Sequence, residues 1–384
     1  MYREAKMTSI NGHCLEQFEE LEVLLQQHLE AEKDIGASLS IIYQDETIVD
    51  LWGGFVDERK TKAWESDTIT NVWSTTKTMA SLSALLLVDQ KELDLNSPAA
   101  HYWPNFSTNG KSDVLIRHIL AHTSGLAGWE DPMSPEDLYD WEKAIFNLEK
   151  QTPWWKPGKA SGYHAITQGF LIGEIIRRIT GMKTGAFFRE EIAIPANADF
   201  YIGLPESEDH RVSVVIPPQN ALPLPEDQTS AAYKTFMNPG LNPKIPRDSA
   251  WRRADIAAAN GHGNARSVAE IQSIIAQGGQ RKGKRFLSRG TIEKIFLEQA
   301  RGTDIVLGIP LRFGIGFGLP GEALEYLPSG NICFWGGWGG SLVIVDTDRE
   351  LTIAYMMNKM GDGIVGDERG AALIRATYNA LEKN

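Results

Sequence analysis

Residues 333–358 read CFWGGWGGSLVIVDTDRELTIAYMMN. Two runs rich in β-branched and aliphatic residues, 341–345 and 351–357, flank a polar turn at Asp346-Thr347-Asp348, which is the pattern of a β-hairpin. The opposite end of the chain carries its counterpart. There, ASLSIIYQDETIVDLWGG (37–54) gives one strand over 37–43, a turn at Gln44-Asp45-Glu46, and a second strand over 47–52. Before the first hairpin, Leu15, Phe18, Leu21, Leu24, Leu25 and Leu29 recur at helical spacing through 15–33, and a last helix is expected over 367–381. Helix then hairpin opens the chain; hairpin then helix closes it. The expected fold is therefore α+β: an antiparallel sheet built from N- and C-terminal strands, flanked by the terminal helices, with a mainly helical region inserted. In residues, this divides the chain into an α/β part at 1–72, a helical part at 73–299 and a second α/β part at 300–384.

Within the insertion, 74–90, 136–150, 165–180, 267–278 and 290–298 read as helices. Seven prolines punctuate 217–246, PPQNALPLPEDQTSAAYKTFMNPGLNPKIP. An irregular stretch of that length is either a lid or binding loop, or a plain surface connection.

The 384 residues carry a net charge of −12, which disfavours nucleic acid or an anionic membrane as partner, because nothing here would neutralise phosphates. A small uncharged molecule is the expected partner. Two cysteines, Cys14 and Cys333, cannot form a disulfide framework, and the eight histidines form no zinc-ligand spacing, so no metal or other cofactor is expected. The N-terminus lacks the apolar core of a secretion signal, and no apolar run approaches membrane length; the expected location is the cytoplasm.

VWSTTKTM (72–79) places Ser74 and Lys77 three residues apart at the start of a helix, on one face and within hydrogen-bonding reach. The following residues, TMASLSALLLVDQ, are apolar on nearly every face, so this helix is expected to be buried all round. Burial lowers an amine pKa from about 10.4 and lets Lys77 accept a proton. Backbone N–H groups at the helix start would face an oxyanion formed beside Ser74. Ser-x-x-Lys alone is a short motif that also occurs by chance. A Gly-x-Ser-x-Gly elbow is absent. His122, in LAHTSGL, reads more readily as a loop histidine bonded to backbone than as the base of a triad.

STTKT at 74–78, HILAHTSGL at 118–126, PGKASGYHAITQGFLIGEIIRRITG at 157–181 and WGGWGGSLVIVD at 335–346 stand in the order found in the serine β-lactamase and penicillin-binding-protein-like superfamily. From about residue 36 to 380 the chain resembles its esterase branch, the family VIII carboxylesterases. The resemblance implies that Ser74 is acylated, that Lys77 is its paired amine, and that Tyr163 shares the proton transfer. It also implies that Trp335-Gly336-Gly337 is the third motif, placed by counting eleven residues back from Asp346, and that the Trp338 N–H joins that of Ser74 in an oxyanion hole. Trp155, His164 and Ala165 are the further pocket residues it suggests, with Trp154 beside them.

Two departures from the antibiotic-hydrolysing pattern matter. Ala165 stands where relatives have the asparagine of Tyr-x-Asn, and Trp335 stands where they have a lysine or histidine that meets a substrate carboxylate. The expectation is a serine hydrolase cleaving short-chain carboxylic esters through an acyl-enzyme. An acyltransferase using the same intermediate, a β-lactamase or D-amino-acid peptidase, and a non-catalytic binding module remain the alternatives. Oligomeric state is not legible.

Overall fold

The computed structural model describes residues 9–220 and 223–383. Nine strands form one antiparallel sheet: β1 (Ile10–Cys14), β2 (Gly36–Tyr43), β3 (Glu46–Gly54), β4 (Ala300–Thr303), β5 (Pro310–Phe313), β6 (Gly318–Leu319), β7 (Ile332–Gly336), β8 (Leu342–Asp346) and β9 (Leu351–Met357). Their order is β1-β3-β2-β9-β8-β7-β6-β5-β4. The two hairpins meet in the middle, where β2 pairs with β9 from Ala37↔Met357 to Tyr43↔Leu351. The chain has six longer helices among the described residues: α1 (Glu19–Glu30), α2 (Thr76–Asp89), α3 (Trp141–Lys150), α4 (Thr167–Thr180), α5 (Ala265–Ala276) and α6 (Glu368–Glu382).

The central strands are apolar on both faces because both faces are covered. On β8 and β9, Leu342, Ile344, Leu351, Ile353 and Tyr355 enter one core with α1 and α6; Val343, Val345, Ala354 and Met356 enter the other with α2, α4 and α5. Alternation of side chains across a strand divides one sequence run between two cores. Helix α5 lies within the 73–299 stretch yet packs on β2, β8 and β9, with the Ser38 hydroxyl accepting a hydrogen bond from Ala265 N–H at its start. The remaining helices form a region beside it, with α2 buried from Thr76 to Leu87 against α4.

Several boundaries differ from expectation. The hairpin turn is the two-residue Gln44-Asp45, both with positive φ (48° and 66°), which matches the twist of the flanking strands. The first helix begins with a 3-10 turn, Glu16–Phe18, and α1 proper starts at Glu19. Residues 136–150 split into a 3-10 turn, Pro135–Tyr139, and α3; 290–298 shortens to Arg289–Ile295. The 217–246 segment is not structureless: Ser230 caps a seven-residue helix, Ala231–Met237, by accepting from Tyr233 N–H. Residues 221 and 222 of that segment lie outside the described residues. Five strands, β1, β4, β5, β6 and β7, extend the sheet beyond the four expected.

Candidate active site

The site lies where α2 meets the β7–β8 turn. Trp73, directly before Ser74, has φ 48°, a left-handed conformation that a bulky residue adopts only when its surroundings enforce it. They do so here by packing. The Trp73 ring sits 5.0 Å from that of Trp338 and 5.8 Å from that of Trp251, and Val72 N–H donates to Gly261 O at 2.9 Å. The reversal at Trp73 turns the chain into α2 and presents Ser74 at its start.

Three polar atoms converge. Tyr163 OH donates to Ser74 Oγ at 2.6 Å, and the same oxygen lies 3.2 Å from Lys77 Nζ, within hydrogen-bonding reach. Lys77 Nζ donates to Ala165 O at 2.7 Å and Ala258 O at 2.9 Å, and lies 4.8 Å from the Tyr163 ring centre. Lys77 is 1% exposed, and no charged partner among the described residues offsets its burial. Desolvation without a compensating anion holds its pKa well below the ordinary lysine value. Burial has the opposite consequence for Tyr163: its phenol is pushed above its usual range, so it stays protonated. Both shifts favour the neutral forms, amine and phenol.

The β7–β8 turn approaches the serine closely. Ser341 Oγ donates to Val72 O at 2.8 Å and lies 3.0 Å from Thr75 Oγ1. A Cβ at Gly337 would stand 2.4 Å from Val72 O, so only glycine permits this approach. Gly339 and Gly340 take φ of 94° and 118°, turning the chain back into β8. The N–H groups of Ser74 and Trp338 donate to no acceptor among the described residues. Behind the turn, the Arg369 guanidinium donates to Gly339 O at 2.6 Å, Lys359 O at 2.9 Å and the buried Asp34 carboxylate at 2.7 Å.

Ser74, Tyr163, Ala165 and Trp338 line a cavity of about 620 Å³. Much of its far wall comes from the proline-rich segment, including Pro218, Leu224, Phe236 and Leu241. Of the other pocket expectations, Gly336 and Gly337 belong to the strand end and turn, and three side chains stand behind the wall. Trp335 is buried, its indole 5.4 Å from the Tyr163 ring. His164 is enclosed: its Nδ1–H donates to Gly162 O at 2.6 Å, its Nε2 accepts from Ser124 Oγ at 2.6 Å, and burial holds its pKa down to about 3. Trp155 donates to Ala160 O at 3.0 Å and covers Gly162. Trp154 donates to the Glu130 carboxylate at 2.6 Å. His122 Nδ1 accepts from His164 N–H at 3.0 Å, the backbone-bonded role expected of it.

Sequence reasoning missed the parts supplied by backbone or by distant chain. The Ala165 and Ala258 carbonyls fix Lys77, and side-chain identity carries no trace of that. Asp304, fully buried, accepts from Tyr163 N–H at 2.9 Å and from Val306 and Leu307, holding the Tyr163 backbone. No group of three or more His, Cys, Asp or Glu able to hold a metal occurs among the described residues. None of their helices is long and apolar enough to cross a membrane.

A terminal-strand sheet, a helical region against one face and a Ser-Lys-Tyr cluster at their junction define the serine β-lactamase and penicillin-binding-protein-like class. The chain belongs to the Beta-lactamase family, whose model matches residues 21–377. It is similar to the esterase/beta-lactamase LipL of Mycobacterium tuberculosis, 30% identical over 340 residues, 85% of this chain and 77% of that one. Among solved structures, a family VIII carboxylesterase is 38% identical with a TM-score of 0.91, covering 97% of this chain and 100% of its own. A penicillin-binding protein homologue from Caulobacter crescentus is 35% identical with a TM-score of 0.93, at the same coverage.

Proposed function

We propose that the protein is a serine carboxylesterase that works through an acyl-enzyme on Ser74. It is a carboxylesterase-type hydrolase by its relatives: a family VIII carboxylesterase and the esterase EstB of Burkholderia gladioli, the latter 23% identical over 90% of the chain, stand beside LipL. The observation that carries the mechanism is the convergence of Tyr163 OH and Lys77 Nζ on Ser74 Oγ. Neutral Lys77 takes the Ser74 proton as Oγ bonds to the ester carbonyl carbon, and the carbonyl oxygen becomes an oxyanion facing the free N–H groups of Ser74 and Trp338. Collapse breaks the bond to the alcohol oxygen. Tyr163 donates its proton to that oxygen and recovers one from Lys77. Water then attacks the acyl carbon by the reverse relay, releasing the acid and free Ser74.

The preferred substrate is an uncharged ester with a short acyl group. Ala165 offers no side-chain amide to a β-lactam, and no side chain lining the cavity among the described residues bears a formal charge to meet a carboxylate. Two free cysteines and the acidic composition fit work in a reducing cytoplasm. A fluorophosphonate should add once, at Ser74, by intact mass and peptide mapping. Labelling elsewhere, or undiminished hydrolysis by Ser74→Ala, would overturn the mechanism. On one preparation, p-nitrophenyl butyrate should exceed nitrocefin in kcat/KM; the reverse order would make the protein a β-lactamase.

A further inference from the structure

The cavity above Ser74 is much larger than a short ester requires. Ethyl acetate has six non-hydrogen atoms; at roughly the 30 Å³ that one water occupies in the liquid, it fills about 180 Å³. The cavity holds about 620 Å³. Its walls decide what could occupy the rest. Ile166, Leu224, Phe236, Leu241 and Ile364 are apolar, and the polar groups between them, Asn220, Thr235 and Asn242, are neutral. Lys77 lies beneath the floor, 1% exposed, with its Nζ engaged by Ser74 Oγ and two carbonyls. An ionised group placed here would lose water and find no opposite charge.

Resting on the esterase reading of Ser74, we infer that the substrate is the ester of a bulky, uncharged, largely apolar group of bicyclic size or larger, seated against the wall that the proline-rich segment builds. Reaction requires only that the ester carbon reach Ser74 Oγ, and the Ser74 end of the cavity accepts the small part of the molecule. The large part contributes through apolar area removed from water, an attraction without direction that discriminates by size and charge. The acyl part being short, the alcohol carries that group, and an ester that is bulky on the acyl side serves as the control.

Gly240 gives direct control of the space. It lines the cavity, its φ is not positive, and a Cβ added there would first meet the flexible Met237 side chain at 3.4 Å, an ordinary contact. A larger side chain is therefore accommodated by the backbone at a position on the cavity's lining. The experiment compares kcat/KM by pH-stat for ethyl acetate, 2-(1-naphthyl)ethyl acetate (bulky alcohol) and ethyl 3-(1-naphthyl)propanoate (bulky acyl), with a ring-carboxylated analogue of each naphthyl ester. 2-(1-Naphthyl)ethyl acetate should exceed ethyl acetate by 30-fold or more and should lose tenfold or more on carboxylation. In Gly240→Phe the ratio of that ester to ethyl acetate should fall at least tenfold. Leu241→Trp supplies the same reading if Gly240→Phe is insoluble. Hydrolysis of ethyl acetate with the 2-(1-naphthyl)ethyl acetate ratio near unity, with indifference to carboxylation, or with a ratio unmoved by the substitution overturns the inference and leaves the esterase reading standing. Hydrolysis of none of the esters overturns the esterase reading itself.

Discussion

Lys77 is a cation-forming group kept where a cation is unwelcome, and its energetics and its chemistry have the same origin. The amine is buried, without an acid partner, and its pKa is well below that of free lysine. Activity should therefore show an acid limb, because at pH values below the native Lys77 pKa the ammonium cannot take the Ser74 proton. Lys77→Arg keeps the charge but cannot release it; kcat should fall by 10³ or more, within the range that loss of a general base produces. A wild-type kcat in Lys77→Arg would leave the lysine a merely positional role. Stability follows with a definite sign. With its native pKa lowered, the amine binds fewer protons in the folded chain than in the unfolded one, where its pKa is about 10.4, so unfolding takes up a proton between the depressed pKa and the free one. Across that window lowering pH favours unfolding, by at most about 1.4 kcal/mol per pH unit. Lys77→Met removes this linkage, so its Tm relative to wild type should be higher at pH 7 than at pH 9, whatever the offset from lost hydrogen bonds. Equal differences at the two pH values would show that Lys77 is charged in the native protein.

At the scale of elements, the site depends on how the β7–β8 turn is held against the start of α2. Arg369, in the first turn of α6, ties Gly339 O and Lys359 O to the buried Asp34 and to Asp367. Removing the guanidinium strands Asp34, whose carboxyl burial already pushes above its ordinary value against the attraction of Arg369. Arg369→Met should cost about 3–5 kcal/mol by denaturant titration. It should lower kcat more than it raises KM, since the Trp338 N–H adjoins the released carbonyl, and Arg369→Lys should recover part of kcat. A loss of stability with kcat unchanged would confine Arg369 to the scaffold. This tie was not legible in the sequence, because its members, at 34, 339, 359, 367 and 369, are joined only by tertiary folding. The hairpins were legible, their long apolar runs being strong local signals. Strands β4, β5 and β6 were not: ARGT, PLRF and GL are too short to show a period, and their pairing with neighbours holds them. Ser74 and Lys77 showed through local spacing, and Tyr163 only through resemblance, since 89 residues separate it from Ser74.

For the whole molecule, the sheet's middle is a seam between the two ends of the chain. β2 pairs with β3 on one side and with β9 on the other, and β9 begins at Leu351. Truncation after residue 346 would remove β9 and α6 together, taking away the strand between the hairpins and the helix that carries Arg369. Such a chain should be insoluble or unfolded by circular dichroism and should take up no fluorophosphonate; a soluble, labelled product would show that the N-terminal and helical parts stand alone.

The same seam sets a schedule during synthesis. Tyr43 leaves the ribosome about 300 residues ahead of its partner Leu351, an interval of roughly 15–60 s at 5–20 residues per second. Through that interval the β2–β3 hairpin presents an apolar edge and two apolar faces that its own chain cannot yet cover, the surface on which nascent chains aggregate or recruit holding chaperones. Ribosome-arrested chains ending before residue 342 should stay open to protease within 36–54, and protection there should appear only once β9 and α6 have emerged.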